Sequence, residues 1–132
     1  HAVKAAIEEG IVPGGGVALA RASSYQSADE KDEIDPGAQI IKNACTAPLK
    51  QIVTNAGGSP DVVLEKILAS HSNFGYDAFK EEYGDMFEMG IIDPLKVVRS
   101  ALENASSAAS MMLTVGCAMV EEIRQEPENL DI

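Results

Sequence analysis

Three adjacent glycines, Gly14-Gly15-Gly16, follow Pro13 and precede the apolar run Val17-Ala18-Leu19, and they are the residues of this chain that most invite a chemical reading. Glycine accepts positive φ and lets the backbone come within contact distance of another group, while its freedom weakens any helix or strand that contains it. The triplet therefore marks either a tight chain crossing or a wall facing a ligand. It is not a phosphate-cradling loop, which needs Lys and Ser or Thr directly after its glycines where this chain has Val17, Ala18 and Leu19, and it lacks the spacing of a dinucleotide fingerprint. Two further features share the polar, turn-rich character of a binding wall: the Tyr76-Asp77-Ala78 corner, and Asp93 directly before Pro94, which on local grounds reads as a helix N-cap.

The remaining chemistry-bearing residues form no set. His1 and His71 are isolated, so no Ser-His-Asp or Cys-His arrangement can be built. Cys45 and Cys117 lie far apart in apolar surroundings without a C-x-x-C pair, and read as buried free thiols in a reducing compartment. A metal hydrolase needs three or four convergent ligands, which two His and two distant Cys do not supply.

These residues must be positioned by a chain of 132 residues, 45% of them hydrophobic, which is one domain's worth of material. His1 begins inside the amphipathic pattern Ala2, Val3, Ala6, Ile7 with no initiator Met or cap, so a piece of a longer chain is expected. The net charge of -11, from 21 acidic and 10 basic residues, opposes nucleic-acid backbones and anionic membrane surfaces alike. No apolar stretch approaches the roughly 20 residues of a membrane span, and no secretory leader is visible.

Helical spacing dominates the elements. A short Ala-rich helix over 17–24 places its N-terminal N–H groups and positive dipole end beside the glycines, a geometry suited to an anion or polar ligand edge. Residues 25–35 read as a solvated loop. Asp35-Pro36 opens a helix with Ile40/Ile41, Ala44/Cys45, Leu49, Ile52/Val53 and Ala56 as its core stripe, and Pro48 is expected to kink or split it. Ser59-Pro60-Asp61 opens a shorter helix to about residue 70 with Val62, Val63, Ile67 and Leu68 on one face. Alternating aromatic and small residues over 72–86 predict a glycine-bearing β-hairpin. Asp93-Pro94 then opens a last helix with Leu95, Val98, Ala101/Leu102, Ala105, Ala108/Ala109 and Met112 facing inward. Residues 117–123 are expected to form a terminal strand, with a loose tail after Pro127. The fold class is mainly α with a small β part.

Four segments give this pattern a family. Residues 5–19, the stretch Ala47-Pro48-Leu49-Lys50-Gln51-Ile52-Val53, Phe74-Gly75-Tyr76-Asp77-Ala78, and residues 89–102 from Met89-Gly90-Ile91-Ile92-Asp93-Pro94 to Leu102 occur in this order, and the chain nearly end to end resembles the C-terminal part of the group I chaperonin subunit. That is the sixty-kilodalton heat-shock chaperonin of bacteria, mitochondria and chloroplasts. The resemblance implies that residues 1–8 end the intermediate domain, that 9–124 form the C-terminal part of the helical equatorial ATP-binding domain, and that 125–132 are a tail. It implies adenosine-binding positions at Gly15, at Asp77, Ala78 and Phe79, and at Asp93, with Ile91 near the base. The glycine would lie against the nucleotide, the hairpin backbone would meet the adenine edge, and the carboxylate would accept from ribose hydroxyls, all roles these groups can fill.

The resemblance also implies a parent ATPase using ATP with Mg, ring assembly with other subunits, a co-chaperonin and unfolded polypeptides as partners, and a cytoplasmic or organelle-matrix location. The family's phosphate loop, metal-binding Asp and catalytic Asp match no residue of this chain, so ATP hydrolysis by the chain alone is not expected. The sequence departs from the family pattern at Asp77, often Asn there, and at Phe79, commonly small or polar, which would crowd the base if it turned inward. A free-standing helical interaction module without nucleotide function is the other reading, and it leaves the glycine triplet without a role.

Overall fold

The computed structural model describes residues 1–25, 35–117 and 119. Five helices and two small antiparallel strand pairs follow one another as α1 (Ala2–Glu9), β1 (Ile11–Pro13), α2 (Val17–Ser23), α3 (Pro36–Asn55), α4 (Pro60–Leu68), β2 (Phe74–Asp77), β3 (Glu82–Asp85), β4 (Ile92–Pro94) and α5 (Leu95–Leu113). This is the mainly α class with a small β part. The expected terminal strand over 117–123 and the tail lie almost wholly outside the described residues, as does most of the 25–35 loop.

The core is small. Val17, Ala20, Leu49, Val53, Val63, Ile67 and Met86 form one buried cluster, with Leu64, Tyr76, Tyr83 and Ile91 packed against it. Helices α2, α3 and α4 thus enclose the far side of the hairpin, whose register pairs Phe74 with Asp85, Gly75 with Gly84 and Tyr76 with Tyr83. Tyr83 rests 4.8 Å from the Tyr76 ring, and the Lys66 ammonium of α4 sits 3.7 Å over the Tyr83 ring.

Several expectations of burial fail for one reason, the absence of a facing layer among the described residues. Ile40 and Ile41 at the start of α3 are exposed, as are Ile52 and Val62, so only Cys45, Leu49 and Val53 of the α3 stripe reach the core. Helix α5 buries none of its residues, and Met112 and Leu113 are exposed at its end. The inward face expected from Leu95 to Met112 is therefore an apolar surface. Cys45 is buried as expected, but Cys117 is exposed because it follows the uncovered end of α5. Pro48 does not split α3, which runs unbroken from Pro36 to Asn55. Its missing N–H costs one hydrogen bond, and Leu49 and Val53 on the next turn are held in the core.

The three residue-plus-proline start signals differ in outcome. Asp35 caps α3, its Oδ1 accepting from Gly37 N at 2.9 Å. Ser59 precedes α4 without a side-chain cap bond. Asp93 is not a cap at all: it lies in β4, and Pro94 occupies the cap position of α5. The Leu95 N–H, which a cap would have relieved, instead donates to Gly10 O at 3.0 Å.

Ion pairs hold α1 to α5. Lys96 pairs with Glu8, and Arg99 donates through Nε and Nη2 to Glu9 at 3.0 and 2.6 Å while its Nη1 reaches Glu103 at 2.8 Å. The hydrogen bonds from Arg99 hold the Glu9 carboxyl below its ordinary value of 4.5, with the charges of Arg99 and Lys96 acting in the same direction. A carboxyl depressed in the folded state stabilises above its unfolded pKa, and that contribution is lost as pH falls through the lowered value. Acidification to below the ordinary carboxyl range is therefore expected to loosen α1 from α5, read as faster amide exchange in α1 while the hairpin keeps its protection. Arg99→Gln should produce the same loosening at neutral pH; an α1 equally protected in both tests would show that the ion pairs contribute nothing.

Candidate functional site

The glycine triplet is a packing corner. Gly15 and Gly16 have φ of +65° and +80°, values that favour glycine, so the chain reverses between β1 and α2. Gly14 is buried, and its N–H donates to Ile91 O at 2.9 Å. A Cβ on Gly16 would lie 2.6 Å from Leu49 N, so that position admits only glycine beside α3. A Cβ on Gly15 would meet the flexible Cε of Met86 at 3.3 Å and Tyr76 O at 3.9 Å. Of the two readings left open by the sequence, tight crossing is thus realised at Gly14 and Gly16, whereas half-buried Gly15 has only the flexible end of Met86 close to it.

The same contacts carry the corner to the other candidate residues. Fully buried Met86 is the hub: its N–H donates to Asn73 O and its carbonyl accepts from Ile91 N, both at 2.9 Å, while its side chain underlies Gly15. From Ile91 the chain runs directly into β4, which pairs with β1 so that Asp93 stands opposite Val12 and Ile92 opposite Pro13. This second strand pair escaped the sequence reading, since three residues on each side carry no usable alternation. Gly15, Tyr76 and Asp93 are therefore tied to one another through Met86, Ile91 and the β1–β4 pair. Asp93 is half-buried, and among the described residues its carboxylate has neither a hydrogen bond nor an ion pair.

Asp77 differs. It is 9% exposed, and its Oδ1 accepts from Phe79 N at 2.9 Å and Lys80 N at 3.2 Å, closing the turn that follows β2. Ala78 is half-buried, whereas the Phe79 side chain is 94% exposed and turned away from the core. Phe79 thus does not crowd the interior. Glu81 completes the loop with a φ of 57°.

At the N-terminus of α2, the Val17 N–H is taken by Gly14 O at 3.2 Å, and the helix has only seven residues. The anion site anticipated there has no support in this arrangement.

One residue that holds the site together was missed. Arg21, near the end of α2, donates through Nη1 to Ser70 O at 3.3 Å and through Nη2 to Ile67 O at 2.9 Å, Phe74 O at 3.0 Å and His71 O. It gathers the carbonyls at the end of α4 and the start of β2, and burial pulls its pKa below the ordinary arginine value. In sequence, a lone Arg in the last turn of an Ala-rich helix reads as a complement to that helix's own dipole, which hides a long-range role.

Among the described residues, no helix is long and apolar enough to cross a membrane, and no group of three or more His, Cys, Asp or Glu is placed to hold a metal ion. The glycine corner, the hairpin and the Asp93 strand all fall within residues 1–122, the span that matches the TCP-1/cpn60 chaperonin family. With all but ten of its residues covered by that match, the chain belongs to the TCP-1/cpn60 chaperonin family.

Proposed function

We propose that this chain is the C-terminal part of a group I chaperonin subunit and supplies the adenosine-facing side of an ATP site. The observation that carries the reading is the half-buried carboxylate of Asp93, without a partner among the described residues and joined through β1–β4 and Met86 to the glycine corner and the hairpin. A carboxylate released from helix capping is free to accept from vicinal hydroxyls of a ribose, and the corner beside it admits close approach of a ligand. Gly15, Asp77, Ala78, Phe79 and Asp93 form this side, with Ile91 beneath the base.

Among the described residues no group of three or more His, Cys, Asp or Glu is placed to hold a metal ion, and phosphoryl transfer depends on such a metal at the γ-phosphate. The parent ATPase would take its phosphate and metal ligands, and its sites for polypeptide and co-chaperonin, from other parts of the subunit. Exposed apolar residues on α1, α3 and α5 are suited to packing against those parts or against neighbouring subunits in a ring. A cytoplasmic or organelle-matrix setting accords with the two unpaired cysteines.

Half a pocket binds weakly. Titration of the chain with ATP, followed by amide chemical shifts, is expected to give a response in the millimolar range centred on Gly15, Ala78 and Asp93, reduced about tenfold by Asp93→Ala. Turnover of ATP, tight binding by calorimetry, or no localised response at saturating nucleotide would overturn the reading.

A further inference from the structure

We propose that Met86 is a positioning residue for the adenosine-facing side: its thioether holds Gly15 at a fixed distance from the hairpin, so that nucleotide affinity depends on an unbranched side chain at position 86. This rests on the adenosine-side reading above. Met86 is fully buried, and its main chain is fixed by the bonds to Asn73 O and Ile91 N. Its side chain lies between two glycines. A Cβ on Gly75 would stand 2.5 Å from both Cγ and Sδ of Met86, and a Cβ on Gly15 would stand 3.3 Å from its Cε. The middle of the thioether therefore rests on β2, and its methyl rests under the glycine corner.

The two glycines lack a side chain for different reasons. Gly15 has a φ of +65°, which favours glycine by itself. Gly75 is not among the residues with positive φ, so what excludes a side chain there is the space taken by Met86 and by Val17 Cγ2, 2.9 Å from the Cβ position. The hairpin thus gives up a side chain in favour of the one that reaches Gly15.

Methionine suits this path because it is unbranched and has three rotatable bonds. Leucine has a similar volume, but it branches at Cγ, the atom that lies against Gly75, and its chain ends one atom short of Cε. Met86→Leu therefore fills the core while withdrawing the contact beneath Gly15, and cores tolerate volume-conserving swaps of this kind. Stability and positioning are in this way separable at one residue. A corner left free to move must be ordered when a ligand binds, which lowers affinity. Met89 provides the internal comparison: its Sδ lies 2.8 Å from the Cβ position of Gly84, the register partner of Gly75, so it makes the same kind of contact without reaching Gly15.

The test uses AMP as the probe on the full chain, followed by amide shifts and by the shifts of the five labelled methionine methyls. The Met86 methyl is expected to move together with the Gly15 amide, while the methyls of Met89, Met111, Met112 and Met119 stay in place. Met86→Leu is expected to keep a urea midpoint close to that of the unmodified chain and to bind AMP about threefold more weakly, and Met89→Leu to leave AMP binding unchanged. A Met86 methyl that stays in place while the Gly15 and Asp93 amides respond, or unaltered AMP affinity in Met86→Leu, overturns this inference and leaves the site standing. Should Met86→Leu not fold, the methyl response of the unmodified chain decides alone. Absence of any amide response to AMP overturns both.

Discussion

Alanine at Gly16 is expected to destabilise the chain by about 3–5 kcal/mol, whereas alanine at Gly15, one residue earlier, is expected to cost only about 1–2 kcal/mol. The two positions share a positive φ, so the backbone penalty of an L side chain is common to both. They differ in what the new methyl meets. At Gly16 it would lie 2.6 Å from the backbone nitrogen and 2.9 Å from the Cα of Leu49, in the middle of α3, and no side-chain rotation relieves that contact. At Gly15 the nearest atom is the terminal methyl of Met86 at 3.3 Å, which can give way. A loss of the larger size is a substantial part of the stability of any domain this small. Urea unfolding of both variants checks the contrast, and equal midpoint shifts would mean that the crossing of the glycine corner over α3 is not tight.

The comparison also shows what could be read ahead of the structure. Helices α3 and α4 announced themselves through proline starts and paired apolar positions, and the hairpin through alternating aromatics with glycine, because these signals are local. Asp93 shows the limit: Asp-Pro is a strong helix-start pattern, yet pairing of β4 with β1 and the bond from Leu95 N to Gly10 O removed the need for a cap. Burial was misjudged wherever periodicity was taken to imply a partner. Ile40, Ile41 and the Ala-rich stripe of α5 have core-like spacing and face no layer among the described residues. Spacing records that a face is apolar, but not which part of the protein covers it. For the candidate site, resemblance supplied the positions and only coordinates could separate their states, with the Asp77 carboxylate engaged by its own turn and that of Asp93 without a partner among the described residues.

Arg21 is the residue on which the relation between hairpin and helices most depends, and Arg21→Ala is expected to cost about 2–4 kcal/mol. One guanidinium serves four carbonyls from Ile67, Ser70, His71 and Phe74, spanning the C-terminal end of α4, the connecting turn and the first residue of β2. Its positive charge also opposes the negative end of the α4 dipole. Truncation would leave these acceptors to water or to one another, and the charge-assisted bonds lost are stronger than neutral ones. Lysine keeps the charge but not the planar fork, so Arg21→Lys should recover part of the loss, about 1 kcal/mol, and no more. Because β2 leads directly into Asp77, loosening its start should raise hydrogen exchange through Tyr76 and reduce the nucleotide response at Ala78 without altering the Asp93 strand. Full stability in Arg21→Ala, or unchanged exchange along β2, would show that the aromatic packing of Tyr76 and Tyr83 is enough to seat the hairpin by itself.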